Sequence, residues 1–344
     1  MAPVATQPVG FAVIGAGAFG SNHLRVIREL SAGCGDAVRL TAIVESDPVR
    51  TRELHSGFPA VRIFANLDAC LAARANGEME IHAASVCVPT SAHAAAASVL
   101  LQAGIDVLVE KPIAASLAEA DALIALATLR QRILQVGHLE RFNPAVLAVH
   151  PYIHMPMFFE AHRLSIFTPR SLDVDVILDL MVHDLDIVLS LAQSPVRSLQ
   201  AVGLPVLSRK VDIANVRIEF ASGCVANFTA SRVSTERVRK LRFFQPHQYV
   251  SIDYARQDLL FIDVKPQDGA PDPGNSLSGL ALSKPTVKPG EPLRLEIESF
   301  LESVRTRRQP RVTGQEGRAT LALALDINAA IAEHATRAHL DRFV

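Results

Sequence analysis

A glycine pattern near the amino terminus constrains the fold of this chain more than any other feature. Gly15, Gly17 and Gly20 form G-x-G-x-x-G between an apolar segment, VGFAVI, and an amphipathic segment, NHLRVIREL. Glycines so placed allow a tight turn, close approach of the backbone to a pyrophosphate, and close packing of a helix on a strand. The pattern predicts a dinucleotide site with Ala18 and Phe19 in its loop. The alternative is a strand-to-helix turn without a ligand.

An acidic residue at the end of the next predicted strand supports the dinucleotide interpretation. Glu45 follows the strand RLTAIV, 25 residues after the last glycine of the pattern, about where a ribose-binding carboxylate is expected. Such a carboxylate accepts hydrogen bonds from ribose hydroxyls and repels a 2′-phosphate, so we expect NAD rather than NADP. Asp47 reads as the N-cap of the following helix. Arg50 and Arg52 are expected on the surface of that helix, the alternative being contact with a phosphate.

The amino-terminal part of the chain alternates apolar segments with helical patterns. The segments VGFAVI, VRLTAIV, SVCV, DVLVE and ILQVG read as strands, with helical patterns between them. This βαβ series predicts a parallel sheet covered by helices, so residues 1–137 are expected to form an α/β Rossmann domain that binds NAD. Ser116 and Glu119 predict a capping box at the start of a helix that runs to about Leu129.

From residue 138 onward, strand patterns follow one another directly. They are DIANVRIEF, GCVANFTASRV, KLRFF, YVSIDY and DLLFIDV, with Ser222 and Gly223 as a hairpin turn between the first two. Residues 138–344 are therefore expected to form an α+β domain for substrate binding and oligomerisation, with an open-faced, mostly antiparallel sheet. Because such a face needs a cover, we expect a homodimer or homotetramer.

The carboxyl-terminal part of the chain is expected to be a loop followed by helices. The loop, rich in Pro and Gly, lies between residues 265 and 291. Helices are predicted from about Leu293 and from Gln315, the second introduced by Thr313 and Glu316. Whether these helices pack back on the first domain is left open.

The charge and the cysteine content indicate which binding partners and which cellular compartment to expect. The 344 residues include 34 basic and 35 acidic side chains, a net charge of −1, so the chain lacks the charge excess expected for nucleic-acid or membrane-surface binding. The basic segment RVRKLR at 237–242 is expected on a solvated sheet face or at a subunit contact. The four cysteines have no C-x-x-C spacing, so neither a metal cluster nor a disulfide framework is expected. With no targeting or membrane segment in the pattern, a cytoplasmic protein is expected.

Polar residues end or follow several predicted strands, at the edge where open parallel sheets bind their ligands. Strand ends are also where charged side chains ordinarily reach water. On the functional interpretation, the residues expected to line the cofactor site beside the glycine loop are Pro89, Thr90, His93, Glu110 and Lys111. His138, which follows ILQVG, is expected to contact the substrate.

A helix predicted over residues 174–193 is apolar almost all round except for one stripe. Asp179, His183, Asp186 and Ser190 recur at i, i+4, i+7 and i+11. The stripe contains none of the long charged side chains typical of a wet helix face, which favours a stripe facing a cleft; the alternative is a solvent-facing stripe. Asp179, one turn before His183, is placed to orient the imidazole as a general base.

These motifs, in this order, resemble the Gfo/Idh/MocA oxidoreductase family over nearly the full length of the chain. The resemblance implies that the second domain is an open-faced sheet used for oligomerisation. Met181 stands where the family's D-x-G-x-H motif has its middle glycine, a departure from the typical inositol and glucose enzymes. The matching positions are Gly15 to Gly20, Glu45, the Pro-Thr and His93 region, Glu110-Lys111-Pro112, and Asp179 with His183.

Three further segments are most similar to bacterial UDP-N-acetylglucosamine 3-dehydrogenases. They are VGHLERFNP at 136–144, DLMVHDLD at 179–186 and ASRVS at 230–234. The resemblance implies a UDP-sugar substrate and a 3-keto product that a transaminase converts to the diamino sugar of certain lipid A molecules. The alternatives are a dehydrogenase of another sugar or cyclitol, and a non-catalytic sugar or dinucleotide sensor of the same fold.

The resemblance also suggests roles for individual side chains. His183 is expected to take the proton of the sugar hydroxyl, Asp179 to hold His183, and Lys111 to hydrogen-bond the reacting oxygen. A UDP-sugar carries a diphosphate, which needs cations or backbone donors. The arginines considered for that role, with surface or ion-pair roles as the alternative, are Arg141, Arg163, Arg170 and Arg232. No metal ligand set is expected.

Overall fold

A computed structural model describes residues 7–33, 38–168, 174–264 and 280–340 of the chain. The chain divides into two compact units. The first consists of Met1–His138 and Leu293–Leu321, and the second of Leu139–Pro292 and Ala322–Val344. The chain therefore passes from one unit to the other three times, after residues 138, 292 and 321.

Helices occur in both units and are numbered along the chain. Short 3₁₀ turns cover Leu139–Phe142 and His150–Tyr152, and a π-helical turn covers Ile177–Met181. The α-helices are α1 Gly20–Ala32, α2 Pro48–Gly57, α3 Leu67–Ala75, α4 Thr90–Gln102, α5 Leu117–Arg130, α6 Pro144–Val149, α7 Val182–Ala192, α8 Pro292–Thr306 and α9 Gly314–Arg337.

The first unit contains a six-stranded parallel sheet. Its strands are β1 Val9–Ile14, β2 Val38–Val44, β3 Arg62–Phe64, β4 Ala83–Val86, β5 Asp106–Glu110 and β6 Leu134–Gly137. They lie in the order β3-β2-β1-β4-β5-β6. Every residue of β1, β4, β5 and β6 is buried, because helices cover both faces of such a sheet and its strands read as continuous apolar segments. The Rossmann fold predicted from the sequence is confirmed.

Side-chain caps start several helices where the sequence places them. The Ser116 hydroxyl accepts a hydrogen bond from the Glu119 amide, and the Glu119 carboxylate accepts one from the Ser116 amide, which completes a capping box for α5. Thr313 and Glu316 make the same reciprocal pair before α9. Asp47 caps α2. Caps are local, so they can be predicted from sequence spacing alone.

The second unit contains an eight-stranded sheet in the order β14-β13-β12-β11-β7-β10-β9-β8. All neighbours are antiparallel except β7 and β10, which pair in parallel. The predicted mostly antiparallel sheet is confirmed, including the hairpin between β9 and β10. Its strands are β7 Phe158–Leu164, β8 Val196–Leu204, β9 Ile213–Phe220, β10 Val225–Ser231, β11 Val238–Gln245, β12 Gln248–Asp253, β13 Asp258–Val264 and β14 Leu280–Ser283.

The strands of this sheet alternate between a buried and a more exposed face. Inward side chains of β7, β9, β10 and β11 join α7 and residues 323–331 of α9 in one hydrophobic core. The other face carries polar cross-strand pairs, such as Glu160 with Arg242 at 3.0 Å and Asn215 with Thr229 at 3.0 Å. The basic segment at 237–242 lies largely on β11, where Arg242 and Lys240 each lie near a carboxylate.

Three parts of the second unit differ from the sequence expectation. Strands β7 and β8 were not predicted, and residues 280–283, expected to be loop, form the edge strand β14. Residues 265–279 of the expected loop lie outside the described part of the chain. The helix expected over 174–193 is helical from 176 to 192 and begins with the π-helical turn.

The sequence predicts neither a disulfide framework nor a membrane segment. Cys70, Cys87 and Cys224 are free thiols, and Cys34 lies outside the described residues. Among the helices of the described ranges, none combines the length and the apolar character that crossing a bilayer requires.

The two faces of β11 allow a matched test of the core. Phe243 is fully buried, with its ring centroid 5.5 Å from that of Phe159, whereas the next residue, Phe244, is 37% exposed on the other face. We expect Phe243→Ala to lower the free energy of unfolding by about 3–5 kcal/mol and Phe244→Ala by less than about 1 kcal/mol. Urea denaturation of both variants measures the difference, and equal losses would contradict the assigned faces.

Candidate active site

The glycine loop joins β1 to α1 with almost no free space on its inner side. Gly15 has a φ of +88°, and a Cβ at this position would lie 2.9 Å from the carbonyl oxygen of Cys87. A Cβ on Gly20 would lie 2.0 Å from the carbonyl oxygen of Gly15. Both positions therefore require glycine for the loop and the first turn of α1 to pack as they do.

The outer side of the same loop is open. A Cβ on Gly17 would have only the tip of the Arg50 side chain within 4 Å, at 3.2 Å. Ala18 is exposed, and Phe19 is 38% exposed. Backbone amides and the positive end of α1 thus face a space that a phosphate can approach, and the residues present fit a dinucleotide.

Glu45 lies directly beside this loop. One oxygen of its carboxylate accepts a hydrogen bond from the Ala16 amide at 2.9 Å, and the other accepts one from the Asp47 amide at 2.8 Å. Glu45 is 6% exposed. Asp47 accepts hydrogen bonds from the Arg50 and Val49 amides at the start of α2, and these lower the pKa of its carboxyl group. The structure therefore assigns capping to Asp47 and leaves Glu45 as the carboxylate beside the glycines.

The end of β5 carries a buried hydrogen-bonded chain. The His23 ring on α1 contacts the Glu110 carboxylate through Nε2 at 2.9 Å and the Ser85 hydroxyl through Nδ1 at 3.1 Å. His23 is fully buried and Glu110 is 9% exposed. Lys111 follows Glu110 directly and is half-buried. Glu110 thus anchors the backbone beside Lys111, and its predicted cofactor contact stays a prediction.

The predicted cofactor residues on the neighbouring strand form the start of α4. Pro89 is its N-cap residue and Thr90 its first residue. His93 is 2% exposed, with Nδ1 2.8 Å from the Pro112 carbonyl oxygen and Nε2 2.9 Å from the Val88 carbonyl oxygen. The imidazole therefore joins α4 to the segment after Lys111, which is a positioning role. A direct cofactor contact by any of the three stays a prediction.

In the second unit, the predicted catalytic pair lies at the start of α7. Asp179 belongs to the π-helical turn and His183 to the first turn of α7. Both are half-buried, and within residues 181–188 His183 is the one side chain that is not fully buried. Met181, in place of the family glycine, is 1% exposed and belongs to the core. The substitution thus adds to the packing behind this pair.

The next residue of the predicted polar stripe, Asp186, lies in the interior of the protein. Asp186 is 2% exposed and accepts a hydrogen bond from Arg141 Nε at 3.0 Å. Ser190 donates to the Ile187 carbonyl oxygen of its own helix. The expectation of a stripe that faces a cleft is therefore wrong for Asp186, because a buried ion pair with Arg141 holds it in the interior.

Arg163 forms a second buried ion pair on α7, next to His183. It holds both oxygens of Asp184, at 2.6 and 3.0 Å, and Glu140 at 3.1 Å. Its guanidinium also lies 5.2 Å from the Tyr254 ring centroid. Burial alone would lower the pKa of Arg163, but the Asp184 and Glu140 carboxylates outweigh that effect and raise it. Sequence reasoning missed Asp184, because its partner Arg163 is 21 residues away along the chain.

Of the four arginines proposed for a diphosphate, three are buried against carboxylates. Arg141 pairs with Asp186, as described, and Arg163 with Asp184. Arg232 pairs with Asp212 at 2.7 Å and donates to the Val174 carbonyl oxygen. These contacts explain the three charges structurally, because a buried guanidinium needs a carboxylate. The geometry adds nothing in favour of their diphosphate role.

His138 and Arg170 are the other two residues predicted to bind substrate. His138 is 1% exposed, just after β6, so its ring lies in the interior of the protein. Its predicted contact with substrate stays a prediction. Arg170 lies outside the described residues.

Two family models match the chain, one for each half. Residues 9–138 match an oxidoreductase family with an NAD-binding Rossmann fold, and residues 148–245 match the Gfo/Idh/MocA C-terminal domain. The chain belongs to the Gfo/Idh/MocA oxidoreductase family. Membership in the Gfo/Idh/MocA family makes NAD its cofactor class, in agreement with the glycine loop and Glu45.

Individual relatives cover nearly the whole chain. It is 34% identical over 320 residues to UDP-N-acetylglucosamine 3-dehydrogenase from Acidithiobacillus ferrooxidans, covering 93% of this chain and 96% of that protein. A solved structure of that enzyme superposes with a TM-score of 0.83 over 95% of this chain and 98% of that one. Inositol 2-dehydrogenase from Rhizobium meliloti is 26% identical, covering 92% of this chain and 94% of that protein.

The glycine loop gives a test that separates folding from cofactor binding. We expect Gly20→Ala to lower both the thermal unfolding temperature and NAD affinity, because the new methyl group meets backbone. Gly17→Ala should keep the unfolding temperature and weaken NAD binding by about tenfold or more, 1.4 kcal/mol, since its methyl group lies on the open side.

Calorimetric titration with NAD and thermal unfolding give the two readouts. Gly57→Ala is the control, because a Cβ there has nothing within 4 Å, and it should change neither quantity. Normal NAD affinity in Gly17→Ala would contradict the assignment of the loop.

Proposed function

We propose that this protein oxidises the 3-hydroxyl group of UDP-N-acetylglucosamine, with NAD as the hydride acceptor. The observation that carries the proposal is the end-to-end similarity to the Acidithiobacillus ferrooxidans enzyme, at 34% identity over 93% of the chain. The inositol 2-dehydrogenase relative makes a cyclitol the second candidate substrate, at lower identity.

The proposed reaction removes a hydride and a proton from the same alcohol. NAD supplies the hydride acceptor when bound, and the carbon–hydrogen electron pair leaves with that hydride. The hydroxyl proton passes to His183, and the oxygen–hydrogen electron pair becomes the second bond of the ketone. Lys111 hydrogen-bonds the oxygen as negative charge develops on it, and Asp179 orients His183. The products are the 3-keto sugar nucleotide, reduced cofactor and one proton.

Cofactor choice follows from the position of Glu45. Its buried carboxylate lies beside the glycine loop, where it can accept hydrogen bonds from the ribose hydroxyls of NAD. The same negative charge disfavours a 2′-phosphate, so the proposal includes a preference for NAD over NADP.

The activity is tested by following reduced nicotinamide with a panel of UDP-sugars, free sugars and cyclitols. A glutamate-dependent transaminase added to the assay removes the keto product and draws the equilibrium forward. We expect UDP-N-acetylglucosamine to give the highest kcat/KM. A higher value for a cyclitol would favour the second candidate, and silence across the panel with intact NAD binding would point to a sensor.

The role of His183 is tested by His183→Ala. We expect turnover to fall by about 10²- to 10⁴-fold, the usual effect of losing a positioned general base. NAD affinity should stay unchanged, because the glycine loop and Glu45 remain intact. His55→Ala, which removes an exposed histidine from α2, is the control. Near-normal turnover of a folded His183→Ala variant would contradict the assignment of His183 as the general base.

We further propose that the polar face of the eight-stranded sheet is covered by a second copy of the chain. The face carries paired charges and amides, and a cavity of about 810 Å³ adjoins it, lined by β7 to β10 and the end of α9. The proposal predicts a homodimer or homotetramer.

The oligomer is tested by light scattering with Arg242→Glu. Arg242 pairs with Glu160 on this face, so the substitution sets two carboxylates opposite each other and should shift the protein toward smaller species. Arg52→Glu on the exposed surface of α2 is the control. A monomeric wild-type protein at micromolar concentration would contradict the proposal.

The proposed product fixes the class of the next reaction. A 3-keto sugar nucleotide is an electrophile at C3, and a transaminase can convert it to an amine. Because NAD and UDP-sugars are cytoplasmic metabolites, we place the reaction in the cytoplasm.

A further inference from the structure

Three potential metal ligands meet where the dinucleotide edge of the Rossmann sheet adjoins α1. They are His23, Cys87 and Glu110, each offering one ligand atom, and these atoms all lie within 4.8 Å of one another. The imidazole and the carboxylate are already 2.9 Å apart. Ligands of tetrahedral Zn²⁺ are separated by roughly 3.3–3.8 Å, given bond lengths of about 2.0–2.3 Å. The Cys87 thiol therefore needs to approach by at most about 1.5 Å to reach the separations that a tetrahedral zinc site requires.

Ser85, which contacts the second ring nitrogen of His23, is also suited to a metal site. Metal-binding histidines commonly donate their second ring N–H to an oxygen, which fixes the ring orientation and the tautomer. Nδ1 of His23 lies 3.1 Å from the Ser85 hydroxyl oxygen. This contact leaves Nε2 directed at Glu110, as a ligating nitrogen would be.

The charges of the three ligands match a divalent cation. A thiolate and a carboxylate together carry two negative charges, so a bound divalent ion gives a neutral buried group. Burial, with Glu110 and Glu296 adding repulsion, raises the pKa of the Cys87 thiol well above its usual value. Because a metal binds the thiolate form of cysteine, binding releases the thiol proton to solvent.

We propose that His23, Cys87 and Glu110 form a binding site for a thiophilic divalent cation such as Zn²⁺. The donor set of nitrogen, sulfur and oxygen suits zinc and cobalt and is poor for Mg²⁺ or Ca²⁺, which take oxygen ligands. Three protein ligands leave a fourth position for water. None of the three ligands is among the residues proposed for the proton transfer.

Occupation of this site has a structural consequence for its neighbours. Metal binding exchanges the His23–Glu110 hydrogen bond for two metal bonds, and Glu110 immediately precedes Lys111. Cys87 also packs against the glycine loop, since its carbonyl oxygen lies 2.9 Å from where a Gly15 Cβ would be. A bound ion would therefore shift groups next to both the glycine loop and Lys111, so we expect it to lower the turnover of the enzyme.

Cobalt titration of the full chain tests the site directly. Co²⁺ bound to a thiolate gives a sulfur-to-metal charge-transfer band in the near ultraviolet, and tetrahedral Co²⁺ gives intense visible bands. We expect both in the wild-type protein at one equivalent, and their displacement by Zn²⁺. Cys87→Ser should lose the charge-transfer band, and Ser85→Ala should weaken cobalt binding by about 10- to 100-fold.

Matched variants keep the result interpretable. Cys70→Ser removes another buried thiol of the same unit and should leave the spectrum unchanged. Glu110→Gln can still accept a hydrogen bond from His23, so it should retain the fold, as circular dichroism checks, while losing cobalt affinity. A wild-type titration indistinguishable from that of Cys87→Ser overturns the proposal.

Inhibition provides a second readout. We expect Zn²⁺ to lower turnover of the wild-type enzyme and a chelator to restore it, with Cys87→Ser resistant. This measurement rests on the proposed dehydrogenase activity, whereas the cobalt spectrum does not, so failure of one proposal is distinguishable from failure of the other. Equal inhibition of both proteins would remove the regulatory consequence.

Discussion

The close approach of α1 to β1 is the constraint on which the first unit depends. Gly20 has no room for a single methyl group against the carbonyl oxygen of Gly15. This approach directs the helix amides toward the cofactor space and brings His23 within hydrogen-bond distance of Glu110 and Ser85. The cofactor loop and the buried polar chain beneath it therefore have one geometric origin. A wider spacing between α1 and β1 would therefore disrupt both the cofactor loop and the buried hydrogen bonds.

In the second unit, buried ion pairs constrain the position of helix α7. Arg163 binds Asp184 and Arg141 binds Asp186, both on α7. Viewed along the axis of α7, these two acids lie on opposite sides of the half-buried His183. The ion pairs therefore hinder rotation of the helix in either direction. Removing one partner of such a pair is costly, about 3–5 kcal/mol, because a charge is left buried. The pairs make one rotational setting of α7 strongly preferred.

Local signals in the sequence predicted much of the fold. The glycine pattern, the capping residues and the strand alternation each act over a few positions, so the Rossmann unit, the caps of α2, α5 and α9 and most of the second sheet followed from them. The edge strand β14 and the two strands β7 and β8 were missed. The sequence likewise did not show that the predicted substrate arginines are matched by buried carboxylates. Arg163 and Asp184 are 21 residues apart, and only the tertiary structure brings them together. The same holds for His23, Cys87 and Glu110, whose spacing follows no metal-binding motif.

The parallel pairing of β7 with β10 has a consequence for synthesis of the chain. Strand β7 lies inside the sheet, yet its neighbours are residues 225–231 and 238–245. Closing such long chain segments is entropically costly and slows folding. During translation, the segment FFEAHRL leaves the ribosome with neither partner strand made. Until they emerge, its two phenylalanines and both of its backbone edges are open to chaperones or to another nascent copy.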